Sequence, residues 1–161
     1  MKKLRVYLDT SVINFLFADD APEKREITHE FFEKYVRLGK VECFISSVVV
    51  DEIGQTRDVQ RRTALNEVLG RYGLPLLAMD GRPEILNLAK VFVRRGIIPA
   101  RKPADALHLA VAAIHEMDVL ASWNYHHLAN VNKERRVLTV CQEAGYYYPM
   151  RLTTPLEVMG L

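Results

Sequence analysis

Hydrophobic positions along this chain follow two spacings. Leu4, Val6 and Leu8, with Tyr7 beside them, form a β-branched and aromatic run suited to a buried strand, which ends in Asp9, Thr10 and Ser11. Ile27, Phe31, Phe32, Tyr35, Val36 and Leu38 then recur at helical intervals. Asp20-Ala21-Pro22-Glu23 precedes them with the spacing of a capping box, and Gly39 supplies a stop. Val41 to Ile45 predicts a second strand. Ser46-Ser47 offers an N-cap to Val48 through Ile53, where the valines favour strand and the serines with Asp51 and Glu52 favour the first turns of a helix. The pattern leaves both open.

Farther on, Ala64, Leu65, Val68, Leu69 and Tyr72 share one helical face that ends at Gly73. A strand is predicted from Leu74 or Pro75 to Met79, followed by an Asp80-Gly81 turn. Pro83 opens a helix whose inward face carries Ile85, Leu86, Leu88, Ala89, Phe92 and Val93, with Gly96 beyond its end. After a linker from Ile97 to Lys102, Pro103 opens a helix to Ile114 that is apolar almost all round and therefore predicted to be buried. Val119 to Trp123 is a further strand, Asn132 to Ala144 a helix closed by Gly145, and Met150 to Leu152 a last strand. About five short strands alternating with helices specify βα units and a parallel sheet covered on both faces.

Composition narrows this picture only a little. The 161 residues, 49% hydrophobic and 26% charged, fit one globular domain over residues 1–161 with no signature of disorder. A net charge of +2 leaves room only for a local basic patch, not for a strongly basic whole-chain footprint. Cys43 and Cys141 have neither metal-ligand nor disulfide spacing and read as small buried hydrophobes, in keeping with a reducing cytoplasm. Met1-Lys2-Lys3 has the charge of a signal-peptide start, but Arg5 and Asp9 interrupt what would be its apolar core. No apolar run approaches the ~18 residues of a membrane span.

The polar positions change the picture more. In an alternating α/β fold the carboxyl ends of the strands and the N-termini of the helices share one edge, and ligands bind there. Asp9 follows the first strand, Glu52 lies just after the second, Asp105 is in the first turn of the helix opened by Pro103, and Asn124 follows the fourth strand. All are predicted to fall on one rim. Clustered carboxylates raise one another's pKa and need a cation or shared protons to coexist, and all-oxygen ligands suit a hard ion such as Mg2+ or Mn2+. Paired ions of that kind support phosphodiester cleavage by water.

Leu8-Asp9-Thr10-Ser11, Val50-Asp51-Glu52-Ile53, Asp105-Ala106-Leu107-His108-Leu109-Ala110 and Ser122-Trp123-Asn124, in that order, resemble the PIN-domain nucleases, the family containing the VapC toxins of toxin-antitoxin pairs. The likeness runs from Val6 to Thr154-Pro155-Leu156-Glu157-Val158, and its most specific piece begins at Asp105. It implies a doubly wound parallel sheet of order 3-2-1-4-5 and a metal-dependent endoribonuclease. Asp9, Glu52 and Asp105 match the family's catalytic, metal-binding acids, and Ser11 matches a supporting position. Asn124 stands where the family commonly has an aspartate, so the resemblance implies one charge fewer and weaker binding of a second metal. It also implies an RNA substrate, a small antitoxin partner and a homodimer. The alternative is a PIN-like RNA- or protein-binding module with weak or no nuclease activity.

Each position also has a plainer reading. Asp9 can simply end a strand, Asp105 can serve as a favourable charge at a helix N-terminus, and Glu52 competes with Asp51. Asp80 reads as a turn residue, and His108 as a packed, hydrogen-bonded histidine on the Asp105 side of its helix. Adjacent His126 and His127 are expected to point in different directions, which counts against a two-histidine metal site. Trp123 and Tyr146 to Tyr148 read as core or interface before base-stacking. Arg94-Arg95 and Arg101-Lys102 are ordinary solvated charges unless they hold phosphates, and Arg101 and Lys102 are the candidates nearest Asp105.

Overall fold

The computed structural model describes residues 2–161. Strand β1 (Arg5–Leu8) leads through Asp9 into a short helix α1 (Thr10–Asn14) and a 3-10 turn, Phe15–Phe17. Helix α2 (Pro22–Phe31) continues as a π-helical segment, Phe32–Val36, and is followed by β2 (Glu42–Phe44). Next come α3 (Ser47–Gly54), α4 (Val59–Arg71), α5 (Pro83–Arg94) and α6 (Pro103–Ile114). The chain ends with β3 (Val119–Ala121), α7 (Val131–Glu143), β4 (Arg151–Thr153) and α8 (Pro155–Met159).

The fold is α/β, and its four strands form a parallel sheet in the order β2-β1-β3-β4. The sheet has four strands where five were expected, and in the expected numbering 3-2-1-4-5 they lie in the order 2-1-4-5. The strand predicted between Leu74 and Met79 is reduced to one parallel bridge, Ile45 to Leu76. Pro75 offers only its carbonyl to this pairing, accepting from Ile45 N–H, while Leu77 N–H donates to the Ile45 carbonyl.

Strand alternation accounts for the two faces. Val6 and Leu8 of β1 point into one apolar cluster with Val119 and Ala121 of β3, covered by residues of α1, α3 and α4. Tyr7, Leu120 and Leu152 point into the other, covered by α5, α6 and α7. Helix α6 is buried along nearly its whole length, as its uniformly apolar pattern demands.

The segment left open between strand and helix is the helix α3. Its N-cap Ser46 accepts a hydrogen bond from Val48 N–H at 3.2 Å, and this cap outweighs the β preference of the valines. The capping box at Asp20 does not form. Ala21 occupies the N-cap of α2 without a side-chain bond, and the neighbouring Asp19 pairs with Arg25 instead. Gly96 and Gly145 end α5 and α7 with φ of 73° and 93°, a left-handed conformation that disfavours a Cβ. No helix among the described residues is long and apolar enough to cross a membrane.

Candidate active site

Asp9 sits at the carboxyl end of the central strand β1, and its backbone N–H donates to the Ala121 carbonyl of β3 at 3.3 Å. Only 3% of the residue is exposed. Both carboxylate oxygens are held: Ser11 Oγ donates to Oδ1 at 2.5 Å and Ser122 Oγ donates to Oδ2 at 2.6 Å. The two serines are fixed in turn, because Ser11 Oγ accepts from Trp123 N–H and Ser122 Oγ from Asn124 N–H, each at 2.9 Å. A buried carboxylate this well held is a placed group and not a fraying strand end.

Glu52 points inward from α3, whereas its neighbour Asp51 is exposed. Its Oε1 accepts from Thr10 Oγ1 at 2.5 Å and lies 2.7 Å from His108 Nε2. The geometry selects Glu52 over Asp51 as the ordered carboxylate. An ionised carboxylate can only accept, so Nε2 donates. In a neutral imidazole Nδ1 then accepts from the Tyr7 hydroxyl at 2.6 Å, and that hydroxyl accepts from Ser46 Oγ at 2.7 Å. Tyr7 and His108 are 0% and 1% exposed, so this chain of hydrogen bonds crosses the core from the cap of α3 to the acid at the rim.

Asp105, in the first turn of α6, lines an open cleft of about 460 Å³ together with Glu52, Asp51, Arg101, Lys102 and Asn124. Its side chain makes no hydrogen bond or ion pair within the described residues. Asn124 reaches the same cleft, but its amide oxygen accepts from His127 N–H at 3.0 Å and so is partly committed to the turn after β3.

The acids differ electrostatically. Burial pushes Asp9 above its ordinary value; His108 and the two serine hydroxyls oppose the shift, and the charge of Asp105 adds to it. Burial also raises Asp105, with His108 and Lys102 opposing and Glu52 adding. Glu52 goes the other way. Burial would raise it, yet the hydrogen bond and charge of His108, the Thr10 hydroxyl and Lys102 together leave its carboxyl below the usual range.

No three His, Cys, Asp or Glu side chains among the described residues are gathered closely enough to hold a metal ion as they stand. Asp9 and Glu52 spend oxygens on hydroxyls and on His108 instead. The donor chemistry still fits a hard cation: the acids offer only oxygen, Glu52 Oε2 and both Asp105 oxygens are unspent, and Asp105 repels both of its neighbours.

The other candidates separate cleanly. Asp80 is exposed in its turn with Gly81. Trp123 is buried, with Nε1–H donated to Thr28 Oγ1 at 2.9 Å. Tyr148 bonds Asp118 at 2.6 Å, at the amino end of β3 and thus at the sheet edge away from Asp9. Arg95 pairs with Glu143, while Arg101 and Lys102 line the cleft. The roles of Tyr7, Thr10, Ser46 and Ser122 in holding the acids and His108 are not foreseen from the sequence pattern, although Ser46 is expected as an N-cap and Thr10 and Ser122 lie in the motifs of the resemblance. A further local signal is a polar atom on an element that buries all around it.

The family model described as the PIN domain matches residues 6–133. No curated protein matches the chain.

Proposed function

The chain belongs to the PIN-domain family, whose members are generally nucleases, and from that premise we propose that it is a divalent-metal-dependent endoribonuclease, of the VapC-like toxin type. The observation that carries this reading is the buried, doubly hydrogen-bonded Asp9 at the end of the central strand, coupled in charge to Asp105, which lines a cleft together with Glu52. Asp9, Glu52 and Asp105 would hold Mg2+ or Mn2+, with Asn124 adding a neutral oxygen. A cation there supplies charge neutralisation and activation of water for phosphodiester hydrolysis. Ser11 and Ser122 fix the direction of Asp9, and Thr10 with His108 fixes Glu52 so that its free Oε2 remains available. Arg101 and Lys102, on the same cleft, attract the phosphodiester. Further parts of the proposal are a small antitoxin protein that covers the cleft, a homodimer, and a cytoplasmic location.

Cleavage of single-stranded and structured RNA, assayed with magnesium and with manganese, tests the reading. Asn124→Asp keeps an acceptor for His127 N–H and adds a charge. The manganese concentration giving half-maximal cleavage is expected to fall about tenfold, the effect of roughly 1.4 kcal/mol of added attraction. An unmoved titration would remove Asn124 from the ligand set. Arg101→Gln/Lys102→Gln is expected to flatten the salt dependence of RNA binding by about 0.7 in log–log slope for each phosphate no longer neutralised. An unchanged slope would take both residues out of the footprint.

A second reading is a PIN-like module that binds RNA or protein with weak or no cleavage. It is favoured by Asn124, whose amide oxygen is partly spent on His127 N–H and which brings no charge to the rim. Manganese binding without cleavage of any RNA would support it over the first.

A further inference from the structure

Away from the acidic cleft, the C-terminal end of α5 and α7 border an open pocket of about 210 Å³ lined by Arg95, Arg135 and Arg136 together with Ile97, Thr139 and Val140. We propose that this pocket binds a phosphate group, taken either from a free phosphate or from a phosphodiester of a strand that continues out of the cleft. The second source rests on the nuclease reading; the pocket itself does not.

The argument begins with unspent charge. Three arginines line one concavity, and among the described residues the only carboxylate paired to any of them is Glu143, 2.5 Å from Arg95 Nη1. That bond orients Arg95 and leaves the pocket net positive. Glu134, the nearest acid in sequence on α7, is turned elsewhere: its Oε1 accepts from Leu152 N–H and faces Arg151. Arg135 has no side-chain partner among the described residues, and Arg136 uses only Nη2, on the Arg95 carbonyl at 3.3 Å. Most of the N–H donors of both are therefore free. Guanidinium forks match the oxygens of a phosphate, and like charges lining a pocket beside apolar residues concentrate the field more than charges on a flat solvated face.

A fourth cation stands beside the pocket. Lys133, one turn before Arg136, donates to the Ile97 carbonyl. Its ammonium is pushed down by burial and then by Arg136.

The test uses the full chain in phosphate-free buffer, titrated with inorganic phosphate and separately with labelled single-stranded RNAs of short and longer length. Arg135→Gln/Arg136→Gln is compared with Arg37→Gln/Arg71→Gln, the same charge change on other elements. Arg135→Gln alone, which breaks no hydrogen bond of the fold, guards against a folding defect. At least a tenfold loss of phosphate affinity in the first variant, with a smaller loss in the single variant and none in the control, is the expected result. If affinity for the longer RNA falls as well, with a salt slope reduced by about 0.7 for each phosphate no longer neutralised, the phosphate comes from the strand. If only inorganic phosphate binding falls, the pocket serves a free phosphate. Equal phosphate affinity in all the variants would overturn the proposal. Failure of the native chain to cut RNA, with phosphate binding still lost in the variant, would sink the nuclease reading and leave the pocket standing.

Discussion

Asp9→Asn is expected to abolish RNA cleavage while leaving the protein at least as stable at neutral pH. The loss should reach on the order of a thousandfold, equivalent to about 4 kcal/mol of transition-state stabilisation, because the substitution removes the charge at the best-held acid of the rim. Stability behaves differently because burial raises the Asp9 carboxyl in the folded chain above its ordinary value. As pH climbs from the ordinary carboxylate range through that raised value, the unfolded chain has already released its proton and the folded chain has not. The folded state then binds more protons, so stability falls with rising pH across that window and Asp9 is a burden above it. Asparagine removes this slope. Urea denaturation of both proteins at a series of pH values, in chelator, measures it; cleavage is followed in parallel. Equal cleavage by both proteins would place the active site elsewhere. A variant that loses stability in step with activity would show that Asp9 is a structural group.

The second large effect is expected at His108, and here stability and site fall together. His108→Leu leaves Glu52 Oε1 with only the Thr10 hydroxyl and leaves the Tyr7 hydroxyl without its acceptor in a fully buried setting. Each orphaned buried group costs about 1–3 kcal/mol, so a loss on the order of 3 kcal/mol is expected, or roughly 6–12 °C in melting temperature for a chain of this size. Tyr7→Phe should cost less, because His108 still donates to Glu52. The double variant should cost less than the sum, since both changes interrupt one network. His108→Gln, which keeps a donor for Glu52, should recover part of the manganese affinity that His108→Leu loses. Manganese affinity unchanged in His108→Leu would separate the network from the site.

That network also marks where sequence reading stops. Asp9 and Asp105 could be singled out as candidates because each stands where an element begins or ends, and local apolar spacing locates such ends; Glu52 was separated from Asp51 only by the family resemblance. His108 was legible as a packed, hydrogen-bonded histidine because it lies on a helix with no polar face. Its partners were not: Tyr7 and Glu52 are 101 and 56 positions away, and a tyrosine in an apolar strand gives no sign of what its hydroxyl meets. The fold shows the same division. Helix boundaries followed from Pro83, Pro103, Gly96 and Gly145, whose backbone constraints act locally. The segment from Leu74 to Met79 has the composition of a strand, but strand pairing is decided by the neighbour, and Pro75 lacks the N–H that a longer ladder would use. The predicted cap at Asp20 failed for a local reason, since Pro22 disfavours the helical conformation in the residue before it and so leaves Ala21 at the cap.

The single bridge between Ile45 and Leu76 gives the rim an uneven dynamic character. Strands β1 and β3 are each paired on both sides, so the amides that support Asp9 should exchange with solvent only on global opening. Beside β2, the stretch from Pro75 to Leu77 is tied to Ile45 by only two backbone hydrogen bonds, at 3.0 and 2.8 Å, and its amides should exchange through local fluctuations. β2 leads directly through Ser46 into α3, which carries Glu52. Of the three acids, Glu52 is therefore the one mounted on the pliable side of the sheet, and closing the rim around a ligand should draw α3 inward while Asp9 stays where it is.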